Sequence, residues 1–174
     1  YIDGSVKNEK GNVGNAKIFG QELLVNFNLN KLFKLNSVLR LNYFVNFSHI
    51  ESRYIESQEN GIEGNKVEFV PKINLKTGVQ LGYKKIKSEL QYTFISNQFT
   101  DATNSIESDL SGVIGEIPAY NILDISCLYL LNQFKIELGL NNLLNTEYFT
   151  NRATGYPGPG TVSYTHLRAH ETFA

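Results

Sequence analysis

Residues 134–160 read FKIELGLNNLLNTEYFTNRATGYPGPG, an alternating run followed by an asparagine-rich turn and a proline-bearing loop. The opening alternates: Phe134, Ile136, Leu138 and Leu140 leave one side, and Lys135, Glu137, Gly139 and Asn141 leave the other. A period of two marks a strand, because successive side chains of an extended backbone point to opposite faces. Asparagines and then aromatics follow in NNLLNTEYF, and RATGYPGPG is a loop stiffened by Pro157 and Pro159.

The same alternation recurs upstream. Residues 19–30 set Leu23, Val25, Phe27 and Leu29 against Glu22, Leu24, Asn26, Asn28 and Asn30. Residues 37–52 set Leu39, Leu41, Tyr43, Val45 and Phe47 against Arg40, Asn42, Phe44, Asn46 and Ser48. The cleanest case is 73–84, where Ile73, Leu75, Thr77, Val79, Leu81 and Tyr83 oppose Asn74, Lys76, Gly78, Gln80, Gly82 and Lys84. Leu90, Tyr92 and Phe94 then face away from Glu89, Gln91 and Thr93, and Leu123, Ile125, Cys127 and Tyr129 face away from Asp124 and Ser126. Short turns at 31–36, 84–87 and around Asn132 alternate with long polar loops at 53–71, 100–118 and after 141. The pattern predicts about six full antiparallel strands and no helix, with short turns at one end and long loops at the other.

Alternation alone suits a soluble β-sandwich binding module, apolar within and wet outside. Three features favour a transmembrane barrel instead. Globular strands usually run about 5–6 residues, whereas these persist for roughly ten to fifteen. The long-loop, short-turn asymmetry is regular in outer-membrane barrels. Phe33, Tyr83, Tyr129 and Phe134 gather near the short turns, where amphipathic rings suit a membrane–water interface.

Composition removes other classes. With 16 Lys+Arg against 17 Asp+Glu, the chain has no electrostatic case for nucleic acid. One cysteine, Cys127, excludes an internal disulfide framework. No apolar run approaches the roughly 18 residues of a transmembrane helix, which says nothing about strands. His166 and His170 fall four apart without a third ligand, and no metal site is expected from them. No acid–base pair or phosphate-cradling loop stands out, so the reading is not an enzyme.

Asn141-Asn142-Leu143-Leu144-Asn145 with Glu147-Tyr148-Phe149, followed by the residues 152–160, resembles the last hairpin region of TonB-dependent outer-membrane receptors. Within that group RATGYPGPG is similar to ferric-dicitrate and siderophore receptors of Bacteroidetes-like bacteria. The resemblance implies a barrel of about 22 strands with a plugged lumen, located in the cell outer membrane. Residues 1–160 would then be the C-terminal part of the barrel, with the plug and the segment contacting the TonB complex lying upstream and absent. The first residue, Tyr1, reads as the end of an element already under way.

It also implies the partners: a ferric chelate such as ferric citrate, the TonB complex through the plug, and outer-membrane lipid, with no cofactor of the chain's own. Cationic contacts would suit an anionic chelate, so Arg152 is the first candidate substrate-binding residue, Arg53 the second, and the loop start at Gln98 and Asp101 the third. Related readings are a receptor of the same kind for cobalamin, haem or a glycan, or a passive porin.

Residues 161–174 depart from the pattern. A final alternating strand ending in an aromatic is expected there, whereas VSYTHLRAHETFA shows no clear alternation and carries charges. The segment resembles a read-through or adapter translation, and is expected to be a non-native tail, leaving the closing strand missing.

Overall fold

A computed structural model of the chain describes residues 13–35, 38–110, 114–149 and 157–169. In chain order the elements are β1 (Asn15–Asn28), α1 (Leu29–Phe33), β2 (Leu39–Glu56), β3 (Ile73–Tyr83), β4 (Ile86–Ile95), β5 (Gln98–Phe99), β6 (Glu116–Ile117), β7 (Tyr120–Leu131), β8 (Phe134–Asn141) and β9 (Val162–Ala169). Seven strands make one antiparallel sheet ordered β1-β2-β3-β4-β7-β8-β9, and β5 and β6 pair separately. Within the large sheet each strand pairs with the next of its strands along the chain, β5 and β6 lying in the connection from β4 to β7. The sheet is open, with β1 and β9 at its edges.

The register aligns the alternating faces of all seven strands. Leu41 lies opposite Leu81, Leu81 opposite Ser88, Ser88 opposite Cys127 and Cys127 opposite Leu138. That row is apolar or small. The row behind it joins Arg40, Gly82, Lys87, Leu128 and Glu137. On β3, β4, β7, β8 and β9 every charged residue falls on this second face, among them Lys76, Lys87, Glu89, Asp124, Lys135, Glu137 and Arg168. Charges reach the first face only at the loop end of β1 and β2, at Lys17, Glu51, Arg53 and, past the bulge, Glu56, which pairs with Asn15.

Among the described residues nothing covers either face. Leu23, Phe27, Val79, Leu81, Leu90, Ile125 and Leu138 are all exposed on the apolar side. A soluble sheet buries such a face against a second layer, and among the described residues no second layer exists. Even the hydroxyl of Thr77 on this side is bonded, donating to the Phe44 carbonyl at 2.8 Å. The arrangement is what hydrocarbon demands, with polar groups paired inside the ladder and apolar side chains outward.

Two hairpins are as tight as the sequence indicates. Lys84 (φ 50) and Asn132 (φ 48) open the β3–β4 and β7–β8 turns in the left-handed region. The β1–β2 connection differs from the plain turn expected. Asn28 caps a single helical turn, its side chain accepting from the Lys31 N–H at 3.1 Å, and Lys34 (φ 50) ends it. Capping by Asn outweighs the strand alternation there, because its side chain satisfies an otherwise orphaned N–H.

Residues 162–169 form a strand although their sequence shows no clear alternation. β9 pairs with β8 along its whole length, from Asn141↔Val162 to Phe134↔Ala169. Ladder bonds are made by backbone, so a weak side-chain pattern suffices where a free edge is offered. The register also resolves the charges: His166 opposes Glu137 and Arg168 opposes Lys135 on the polar face, while Ser163, Thr165 and Leu167 share the apolar face. Gly139 makes room for the pairing. A Cβ there would stand 2.2 Å from Cζ of Tyr164, so only glycine lets that ring lie against β8.

Candidate functional site

The apolar core of the described residues sits at the loop end of the sheet, on the part of β2 beyond β3 and in the loops beside it. Tyr54, Ile62 and Ile117 are its buried apolar side chains, with Ser52, Ser96, Gln98 and Thr100 buried among them. All lie at the long-loop end, on β2's overhang, on loop 57–72 and on loop 96–119.

Asparagine makes this platform. Asn104, left-handed at φ 55, accepts from the Lys66 N–H at 2.7 Å and donates Nδ2 to the Lys66 carbonyl at 2.9 Å. A side-chain amide thereby imitates one rung of a ladder between two loops. Asn65 adds Nδ2 bonds to Gly61 O at 2.8 Å and Ala102 O at 2.9 Å. The Phe69 N–H reaches Phe99 O at 2.9 Å, and the Lys66 ammonium lies 5.5 Å from the centre of the Phe99 ring. Tyr54 Oη donates to Glu68 Oε2 at 2.6 Å, and burial first, then that bond, pushes the phenol up to about 12.

The third loop, 142–161, closes on itself. Asn142, buried and left-handed at φ 52, donates to Thr146 O at 2.9 Å and Pro159 O at 3.1 Å and accepts from the Thr146 N–H at 2.9 Å. Tyr148 stacks on Tyr120 with ring centres 4.8 Å apart, and its carbonyl accepts from the Gly158 N–H at 2.7 Å. Phe149 bridges Pro157.

The four candidate contact residues are distributed unevenly over this frame. Arg152 lies outside the described residues. Arg53 is in β2, not in a loop, and shares the apolar face's side of the sheet; its Nη1 donates to Gly64 O at 3.0 Å. Gln98 is buried in β5 opposite Ile117. Asp101 turns its own loop, Oδ1 accepting from the Thr103 N–H at 2.9 Å, while Oδ2 is buried without a partner. Gln98 and Asp101 share one loop segment, whereas Arg53 extends from β2 to the Gly64 carbonyl of the neighbouring loop.

The organising residues Asn65, Asn104 and Asn142 escaped the search for charge. Their signal is asparagine in otherwise polar loops, where left-handed backbone is tolerated and the amide bonds locally.

The polar face of the sheet forms the second surface. Arg40, Asn42, Gln80, Lys87, Glu89 and Glu137 line a groove of ≈ 400 Å³ towards the short turns. Gln80 Nε2 donates to Glu89 Oε2 at 2.9 Å, and Lys135 Nζ lies 3.5 Å from Glu137 Oε2. Both donors and acceptors line this wall, which suits a hydrated polypeptide surface better than an apolar ligand.

The model of the family described as "TonB dependent receptor-like, beta-barrel" matches residues 2–143. No curated protein sequence matches the chain. Among solved structures, the ferric citrate transporter FecA in its unliganded form is similar at a TM-score of 0.77 and 21% identity, over 87% of this chain and 24% of that one. The ferric yersiniabactin uptake receptor FyuA from Yersinia pestis gives 0.62 and 19%, over 89% and 22%. The siderophore receptor PiuA from Acinetobacter baumannii gives 0.65 and 18%, over 90% and 22%. The chain thus spans under a quarter of the length of each.

Proposed function

Because the chain belongs to the TonB dependent receptor-like β-barrel family, we propose that it forms wall and loops of an outer-membrane receptor that imports a ferric chelate at the expense of TonB-transmitted energy. The observation that carries this reading is the sorting of charge between the two faces of the sheet. An uncharged band faces outward below His49, and a charged wall faces inward. A soluble binding module has no use for an unburied band of that extent, and hydrocarbon does.

On this reading the groove bordered by Arg40, Lys87, Glu89 and Glu137 meets a plug that fills the barrel. The chelate approaches from the loop platform. Arg152 is the proposed carboxylate contact, supported by its place in the siderophore-receptor-like RATGYPGPG run. The same run supports a ferric-dicitrate-type substrate and a Bacteroidetes-like source. Asp101, with its unpartnered Oδ2, is a weaker candidate, and buried Gln98 supports its loop from beneath. Residues 1–160 are proposed as barrel sequence, and 161–174 as appended to it.

Uptake of labelled ferric citrate by cells depending on the intact receptor tests the proposal. Uptake should be saturable and should stop when TonB is deleted. Uptake that continues without TonB would make the barrel a passive porin, and no uptake of any ferric chelate would remove iron from the reading.

A further inference from the structure

Arg40, Gly82 and Lys87 occupy one row of the polar face, on β2, β3 and β4. The two cations are two strands apart, about 10 Å between backbones, and only Gly82 stands between them. Its missing side chain lets the Arg40 stem fold over β3. A Cβ at Gly82 would stand 3.3 Å from Arg40 Cβ and 3.7 Å from Arg40 Cδ. Arg40 thus leans towards Lys87 across a bare floor. With Lys84, Val38 and Ile86, these three residues line a groove of ≈ 250 Å³ at the short-turn end of the sheet.

Charge is distributed unevenly around Arg40 and Lys87. The larger groove of ≈ 400 Å³ sets the same two cations beside Glu89 and Glu137, whereas no acidic residue lines the smaller one. Glu89 accepts from Gln80 Nε2 at 2.9 Å, and Glu137, beyond Leu128 in the row, lies 3.5 Å from Lys135 Nζ. Among the described residues neither Arg40 nor Lys87 has an ion-pair partner. The Lys84 ammonium rests 5.2 Å from the centre of the Tyr83 ring and is otherwise open to a ligand.

We propose that Arg40, Lys84 and Lys87 form a carboxylate site on the exit side of the lumen, occupied by the anionic chelate as it leaves the barrel. Short turns of outer-membrane barrels face the periplasm, so the groove stands where the chelate would pass between plug and wall. A guanidinium and ammonium groups converging from neighbouring strands suit a ligand bearing several carboxylates, met by charge-assisted hydrogen bonds. The Arg40–Lys87 row lies on the polar face, which turns the site towards the lumen and away from lipid. The proposal rests on the ferric-chelate reading above and adds a contact at the end opposite the loops.

The test measures two quantities on the intact receptor in cells. Equilibrium binding of labelled ferric citrate to cells lacking TonB reads the loop side, and the initial uptake rate in cells with TonB reads passage. R40Q/K87Q should bind as wild type does and take up ferric citrate roughly tenfold more slowly, through loss of charge-assisted contacts. The charge-preserving R40K/K87R should restore most of the rate. K85Q, which neutralises a cation of the same turn outside the groove, should leave it unchanged. Wild-type uptake by R40Q/K87Q, or an equal loss in K85Q, overturns the proposal. So does a R40Q/K87Q receptor that admits vancomycin, or ferric citrate without TonB, since the cations would then be holding carboxylates of the plug. Should the double variant fail to reach the outer membrane, G82L fills the floor between the cations at unchanged charge. The same slowing is expected of it, and wild-type uptake overturns the site. A wild-type receptor that imports no ferric chelate refutes the parent reading, a separate result.

Discussion

The backbone N–H of Asn142 donates to Oδ1 of Asp124 across 2.8 Å, fastening the Asn-rich turn after β8 to the polar face of β7. Everything else about Asn142 serves the same turn: φ of 52, three side-chain bonds to Thr146 and Pro159, and its carbonyl accepting from Thr161 Oγ1 at 2.8 Å. Asn142→Ala strips those buried partners and leaves an alanine in the left-handed region. A cost of about 1–3 kcal/mol is expected for the stranded polar groups. Asn142→Gly relieves the backbone but not the lost bonds, and should recover only a minor part. Thermal melting of the intact receptor, with limited proteolysis of loop 142–161, reads both effects. Wild-type behaviour of Asn142→Ala would mean the turn is held by its backbone alone.

Leu75 and Lys76 are sequence neighbours on opposite faces, Leu75 between Phe47 and Phe94 and Lys76 between Asn46 and Thr93. Leu75→Arg places a charge among acyl chains and should cost roughly 2–4 kcal/mol if near the bilayer midplane. Lys76→Ala, on the wet side, should change stability little. Urea titrations of the receptor in lipid vesicles measure the difference, and equal costs would remove the assignment of faces.

The sheet was legible because one physical requirement, apolar out and polar in, is written at every second residue from Leu23 to Leu140. The loops were not, because their order comes from single amides such as Asn104 and from buried residues such as Ile62 and Ile117 that carry no periodicity. Arg53 shows the cost of reading charge without register: its chemistry suits an anionic chelate, yet strand parity turns it towards the lipid side. β9 shows the opposite error. Its charges look misplaced until pairing with β8 sets His166 and Arg168 on the polar face.

Asn104 joins two loops through both atoms of its amide, so its loss should loosen both together. Asn104→Ala leaves the Lys66 N–H and C=O without those partners, a local cost of about 1–3 kcal/mol. Hydrogen exchange should accelerate at Lys66 and around 101–104 in parallel, while amides in β3 and β4 keep their protection. Acceleration confined to 101–104 would show that loop 57–72 is held by other contacts.

Tyr54 sets a pH limit on the same platform. It lies beyond the part of β2 paired to β3, on the overhang above the spanning segment, so its titration reports on the loops. An unfolded phenol loses its proton near about 10, whereas in the folded platform burial and the bond to Glu68 hold it to about 12. The folded state therefore binds the proton more tightly. Its stabilising contribution is complete below about pH 10 and declines as pH rises towards the folded value. Ionisation would remove the donor of the 2.6 Å bond and set a phenolate beside a carboxylate. Tyr54→Phe should abolish this decline, and the wild-type minus Tyr54→Phe phenolate absorbance should show one tyrosine titrating later than the bulk. A difference curve centred near the ordinary phenol value would mean that the Tyr54–Glu68 contact does not hold the loops in solution.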